Sequence, residues 1–244
     1  MNLYRKIIIN VYALFLVLGI GSVAICQEIR TFPGNPHVIV AAPHAQSDAG
    51  SGDIVAIIGK RTGFATVIVD NGRSMKTRFN VNRPTIGGGL NCSQELRNES
   101  AKAVYEDYRS KVLALNPAPS LYVEIHGTWG PRDSGDIQAA TVGITLAEAL
   151  RLKGLYEQIR DTQLLNSPRV TRHPLLIEPA DKMQLTAICA KKIGIFRDFT
   201  KVLHMELPEE MRMSSAWEAY SAILADFLRQ SAAVNQVTPG IELK

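Results

Sequence analysis

The chain has 244 residues, 46% of them hydrophobic and 20% charged, with a formal net charge of +4. That length and apolar content suffice for one sizeable core, so the chain reads as one globular domain. No Lys/Arg run and no basic stripe interleaved with aromatics accompanies the small positive charge, which leaves nucleic-acid binding without support.

The first element in chain order is apolar. Arg5 and Lys6 precede a run from Ile7 to about Ile20, and small residues follow before Gln27. That is the layout of a secretory signal. Cleavage near Ala24 to Cys26 would leave a mature chain from about residue 27, whereas an uncleaved run of about 20 residues can span a bilayer. Residues 1–26 are therefore expected to be a signal peptide or N-terminal membrane anchor, and residues 27–244 the functional domain. The expected location is exported: periplasmic, extracellular or membrane-tethered. Cys26 invites a lipid anchor, but Ile25 is larger than the residue that usually precedes a lipidated cysteine. Cys92 and Cys189 then form an even pair in an oxidising compartment, joined as a disulfide or buried as two thiols.

Short β-branched and apolar runs predict strands at 37–42 (HVIVAA), 66–70 (TVIVD), 121–126 (LYVEIH), 175–178 (LLIE) and 202–207 (VLHMEL). Apolar residues at intervals of three and four predict helices at about 100–115, 145–163 and 215–232. Asn98 or Ser100 is placed to cap the first of these, which stops before Pro117. The alternation predicts a single α/β domain, its sheet mixed or largely parallel with helices on both faces. The Gly-rich stretches 83–94 and 127–136 read as surface loops beside a pocket.

Ligands of open α/β sheets bind beyond the carboxyl ends of the strands. Three predicted strands finish there in acid/base or metal-competent residues: His44 with Asp48, His126, and Glu206. Two imidazoles and one carboxylate make an ordinary catalytic zinc set with a position left open. Taken singly, each residue has a plainer use: Asp48 could cap a helix beginning near Gly52, and Glu206 could pair with Arg212 or Arg197. Asn82 and Arg83 lie between the histidines in FNVNRPT, and a guanidinium fork suits bidentate capture of a carboxylate. Glu124 and His204 each stand two positions before a site residue and share its face of the strand. Glu124 can orient a ligand or pair with a lysine, while His204, His37 and His173 read as structural. Arg132 is a solvated loop charge or a substrate contact.

In order and spacing, APHAQSD, NVNRPT, VYEDYRSKV, YVEIHG and ELP resemble the N-formylglutamate amidohydrolase-like branch of the zinc carboxypeptidase superfamily, over about residues 38–208. The resemblance implies that fold, a zinc cofactor held by His44, Asp48 and His126, a substrate carboxylate held by Asn82 and Arg83, and water activated by Glu206. The better-known superfamily pattern places a glutamate three positions after the first histidine; here position 47 is Ser47 and the acid is Asp48, with Asp53 a weaker substitute. The implied reaction is hydrolysis of an amide in a small N-acyl amino acid or peptide. Alternatives are a cell-wall or extracellular peptide carboxypeptidase and a non-catalytic extracytoplasmic binding protein.

Overall fold

Strands buried along nearly their whole length must be covered on both faces, and the central strands here are of that kind from Val38, Leu121 and Val202 onward. The computed structural model describes residues 28–70, 79–88 and 91–236, with side chains as far as Ala233. The expected leader at residues 1–26 lies outside them. In chain order the strands are β1 (Ile29–Phe32), β2 (Asn35–Ala42), β3 (Phe64–Val69), β4 (Phe79–Asn80), β5 (Thr85–Ile86), β6 (Leu121–Gly127), β7 (Ile137–Val142), β8 (Leu175–Ile177) and β9 (Val202–Leu207). The helices are α1 (Ser51–Thr62), α2 (Glu99–Leu115), α3 (Leu146–Gln163), α4 (Ile188–Ile193), α5 (Glu209–Met213) and α6 (Trp217–Gln236).

Seven strands form one mixed sheet in the order β1-β3-β2-β6-β9-β7-β8, and β4 pairs with β5 in a separate hairpin. The four strands β3, β2, β6 and β9 run parallel. At the flanks, β1 runs antiparallel to β3 and β7 antiparallel to β9. The carboxyl ends of β2, β6 and β9 therefore lie along one edge, and these are the strands that lead into His44, His126 and Glu206.

Alternation sends successive residues of β2, β6 and β9 into two cores. Val38, Val40, Leu121, Val123, Ile125, Leu203 and Met205 pack under α1, α3 and α6 through Ile54, Ile58, Leu152, Tyr156, Leu224 and Phe227. On the opposite face Ile39, Ala41, Tyr122 and Val202 pack under α2 through Val104, Tyr105, Tyr108 and Val112, joined by Phe196 and Phe199. The helices thus cover both faces, as the alternation of elements predicts. Among the described residues, no helix is long and apolar enough to cross a membrane.

Local chemistry explains the helix starts. Asn98 accepts the Ala101 amide at 2.8 Å. Thr145 and Glu148 close a reciprocal capping box at the head of α3. The helix near Gly52 starts differently, because Gly50 takes the N-cap at φ 85° and no side chain caps it. Asp48 is thereby left to point elsewhere. The sequence-based expectation lacks β1, β7, the short helices α4 and α5, and the β4–β5 hairpin, whose β5 falls in a stretch read as loop.

Candidate metal centre and its cavity

The turn after β2 folds back through Ser47 and Asp48 amides that both donate to the His44 carbonyl, at 2.9 and 2.8 Å. This brings the Asp48 carboxylate to 3.7 Å from His44 Nδ1 and 3.1 Å from His126 Nδ1. All three side chains are buried or nearly so. Their donor atoms lie within 4.8 Å of one another. Ligands about 2.0–2.1 Å from a tetrahedral zinc are separated by about 3.3–3.4 Å. The two separations from Asp48 bracket that value, and both histidines offer the same nitrogen. The donor set therefore fits a divalent ion of this size and preference.

A second group, Glu124, His126 and His204, is equally close, but its carboxylate is already engaged. Glu124 Oε2 accepts from Asn82 Nδ2 at 2.8 Å and meets His126 Nε2 at 3.0 Å and His204 Nδ1 at 3.1 Å. Its Oε1 accepts from the Tyr122 hydroxyl at 2.9 Å, which in turn meets Tyr108 at 2.6 Å. Glu124 is fully buried and lies off the cavity wall, so it serves as an acceptor hub. By holding Nε2 of His126, it leaves Nδ1 to face the ion, the usual arrangement behind a ligating histidine.

Glu206 follows from strand register. β6 and β9 pair His126 with Glu206 and Glu124 with His204. His204 Nε2 lies 3.1 Å from Glu206 Oε1, so one imidazole links the buried hub to the carboxylate on the cavity. Burial opposes the charge of Glu206, but the His204 hydrogen bond and the positive charges of His126, His204 and Arg212 carry its pKa below the ordinary value. Burial likewise opposes ionisation of Glu124, yet hydrogen bonds from His126 and His204 bring it down to about 2. His126 goes the other way: burial disfavours its cation, and hydrogen bonds to Asp48 and Glu124 raise it to about 10.

Asn82 and Arg83 stand beside this network. Arg83 donates from Nε and Nη2 to the two Glu95 oxygens at 2.8 and 2.5 Å, and from Nη1 to Asn82 at 3.1 Å. The fork expected to meet a substrate carboxylate meets buried Glu95, while the Asn82 amide faces Glu124. Glu95 also accepts from Thr85 at 2.7 Å. Nothing in the local sequence marks Glu95, because its partners reach it through the β4–β5 hairpin.

His44, Asp48, His126, His204 and Glu206 line a cavity of about 500 Å³ together with Arg83, Trp129 and Arg132. That size suits one small ligand. One continuous stretch of its wall is the segment Gln184–Ala190. Gln138, in register with Glu206, fixes this wall by accepting the amides of Gln184 and Leu185 at 2.9 and 3.0 Å. Cys92 and Cys189 are joined as a disulfide with Cα atoms 5.2 Å apart, which ties the wall to the loop carrying Glu95. Of the histidines read as structural, His173 meets the Gly135 carbonyl at 2.7 Å and is not part of this cavity's lining.

No protein-family model matches the sequence, nor does any curated protein. Among solved structures, the chain is similar to a bacteriophage poly-gamma-glutamate hydrolase, at 12% identity and TM-score 0.43 over 92% of this chain and 95% of that one. It is similar to YNDL in a zinc-free apo form, at 11% identity and TM-score 0.49 over 84% and 90%. Murine aminoacylase 3 is similar at 12% identity and TM-score 0.44 over 84% and 67%. At these identities and scores the likeness assigns neither substrate nor residue roles.

Proposed function

We propose that the chain is a zinc-dependent amidohydrolase that cleaves an amide in a small carboxylate-bearing substrate, an N-acyl amino acid or the end of a peptide. The observation that carries this reading is the pairing of a His44–Asp48–His126 donor set with an anionic Glu206 on the wall of one cavity. When bound, zinc would polarise the scissile carbonyl and acidify water.

The residues of the chain supply the rest. Asp48 and the Nδ1 atoms of both histidines would hold the ion. Glu124 fixes the His126 tautomer from behind. Glu206 would accept the proton of the attacking water and return it to the leaving nitrogen. His204 holds the Glu206 carboxylate through Oε1 and limits its rotation. Arg83, paired with Glu95, stands on the wall, and Asn82 behind it donates to Glu124. Trp129, Leu185 and Ile188 give the cavity an apolar side that can exclude water around the reacting bond.

Export is part of the proposal. The signal-like amino terminus and a disulfide between Cys92 and Cys189 both suit an oxidising compartment. The test is metal content of the purified chain from residue 27 onward, beside a His44→Ala/His126→Ala variant. About one zinc per chain, lost in the variant, is expected. No zinc in the parent after it is supplied would overturn the reading.

A further inference from the structure

Charge on the cavity wall is unevenly satisfied. Asp48 and Glu206 face histidines, and Arg83 is held in bidentate fashion by Glu95. Arg132 is different: among the described residues its guanidinium has no hydrogen-bond or ion-pair partner, although it lines the cavity. Its acidic neighbour is occupied elsewhere, because Asp133 accepts the amides of Gly135 at 3.0 Å and Glu209 at 2.7 Å.

Those same bonds make the turn that bears Arg132 a fixed platform. Residues Gly130–Arg132 form one 3-10 turn, closed by the Asp133 amide donating to the Gly130 carbonyl at 2.9 Å. Thr128 anchors its start by donating twice to the Leu207 carbonyl, from its amide at 3.0 Å and its hydroxyl at 3.2 Å. Trp129 sits over the Arg212 guanidinium at 4.7 Å. The platform thus presents an apolar ring and an uncompensated cation three residues apart, in one cavity with the apolar side chains of Leu185, Ala187 and Ile188.

We infer that Arg132, rather than Arg83, holds the substrate's free carboxylate, with Trp129, Leu185 and Ile188 taking an apolar side chain next to it. The inference rests on the hydrolase reading above and specifies its substrate class: N-acylated amino acids or peptides with an apolar residue at a free carboxyl end. Arg83 is already engaged, since a substrate carboxylate would have to compete with Glu95, a buried carboxylate whose arginine partner among the described residues is Arg83. Arg132 gives up nothing but water.

The test compares N-acetyl-L-leucine with N-acetyl-L-leucinamide, which differ only in the carboxylate, by calorimetry on the zinc-loaded protein. The parent is expected to favour the acid roughly ten- to hundredfold, the range of a charge-assisted hydrogen bond. Arg132→Gln brings the ratio near one by weakening the acid alone, while Arg83→Lys, which keeps Glu95 partnered, retains the preference. A parent without preference, a ratio unchanged in Arg132→Gln, or a ratio lost in Arg83→Lys overturns the assignment. Release of leucine is followed in the same samples. Acid preference that depends on Arg132 without any turnover keeps this inference and sinks the hydrolase; turnover without preference does the reverse.

Discussion

Arg212 donates from Nη2 to the carbonyl oxygen of Thr128 at 2.7 Å, two residues beyond His126. The same guanidinium donates from Nε to the Leu207 carbonyl at 3.3 Å and from Nη1 to that of Ala49. These carbonyls follow His126, Glu206 and Asp48, so one buried cation ties together the three chain segments that present the site. Two glycines make room for it. A Cβ at Gly127 would fall 2.2 Å from Arg212 Cζ, and one at Gly50 would fall 2.6 Å from the Arg212 carbonyl oxygen.

Arg212→Met is therefore expected to strand the carbonyls of Thr128 and Ala49, while that of Leu207 keeps its bonds from Thr128, and to cost roughly 2–5 kcal/mol of stability. It should also weaken metal binding about ten- to hundredfold, the range found for groups that orient ligands. Gly127→Ala should act in the same direction without removing any hydrogen-bonding side chain. Denaturant unfolding and competitive zinc titration read the two effects separately. A folded Arg212→Met with undiminished zinc affinity would mean that the arginine serves the core alone.

Glu206→Gln keeps the shape and the hydrogen bond to His204 but cannot accept a proton. Zinc content should stay at the parent level while turnover of the cleaved N-acyl amino acid falls roughly a hundred- to ten-thousandfold. Loss of zinc together with activity would recast Glu206 as a ligand, and full activity would remove it from the chemistry.

The strands that carry the site are legible in the sequence because they are buried on both faces: β2 is apolar throughout from Val38 and leads to His44, while β6 and β9 are apolar runs interrupted only by Glu124, His126, His204 and Glu206. Flanking strands lack that signal. β1 is a short edge strand of mostly exposed residues, and β7, IQAATV, is diluted by Gln138 and by alanines. The hub around Glu124 is illegible for a different reason. Its contacts span 42 residues to Asn82 and 80 to His204, and they exist only because β6 and β9 pair in one register. A slip of one residue would turn His204 and Glu206 to the opposite core. Arg83 shows the limit of reading a motif alone: its type suits a carboxylate, but which carboxylate it meets depends on the hairpin that brings Glu95 beneath it.

Cys92 and Cys189 close a loop across 97 residues. A cross-link over that span stabilises the fold by about 2–5 kcal/mol, and here it also binds the cavity wall to the Glu95 loop. Cys92→Ser/Cys189→Ser should lower the midpoint of thermal unfolding and weaken the preference for N-acetyl-L-leucine, since Ile188 adjoins the bridge. Two titratable thiols in the natively folded protein would show that the bond does not form.

Metal uptake should be linked to protons through His126. In the metal-free protein, hydrogen bonds to Asp48 and Glu124 raise this imidazole to about 10, against an opposing effect of burial. A raised pKa means that the protonated form stabilises the apo fold. That contribution is full below the unfolded value near 6.5 and is lost as pH climbs through about 10. An ion at Nδ1 requires the lone pair that the proton occupies, so binding at neutral pH must expel about one proton. Zinc affinity should then rise with pH, by about tenfold per unit while His126 remains protonated in the apo state. Calorimetric titration of the apo-protein in buffers of different ionisation enthalpy measures the released proton directly. Glu124→Gln, which removes one of the two carboxylates that hold the charge, should reduce the release. A titration with no buffer dependence would show that His126 is already neutral before the ion arrives.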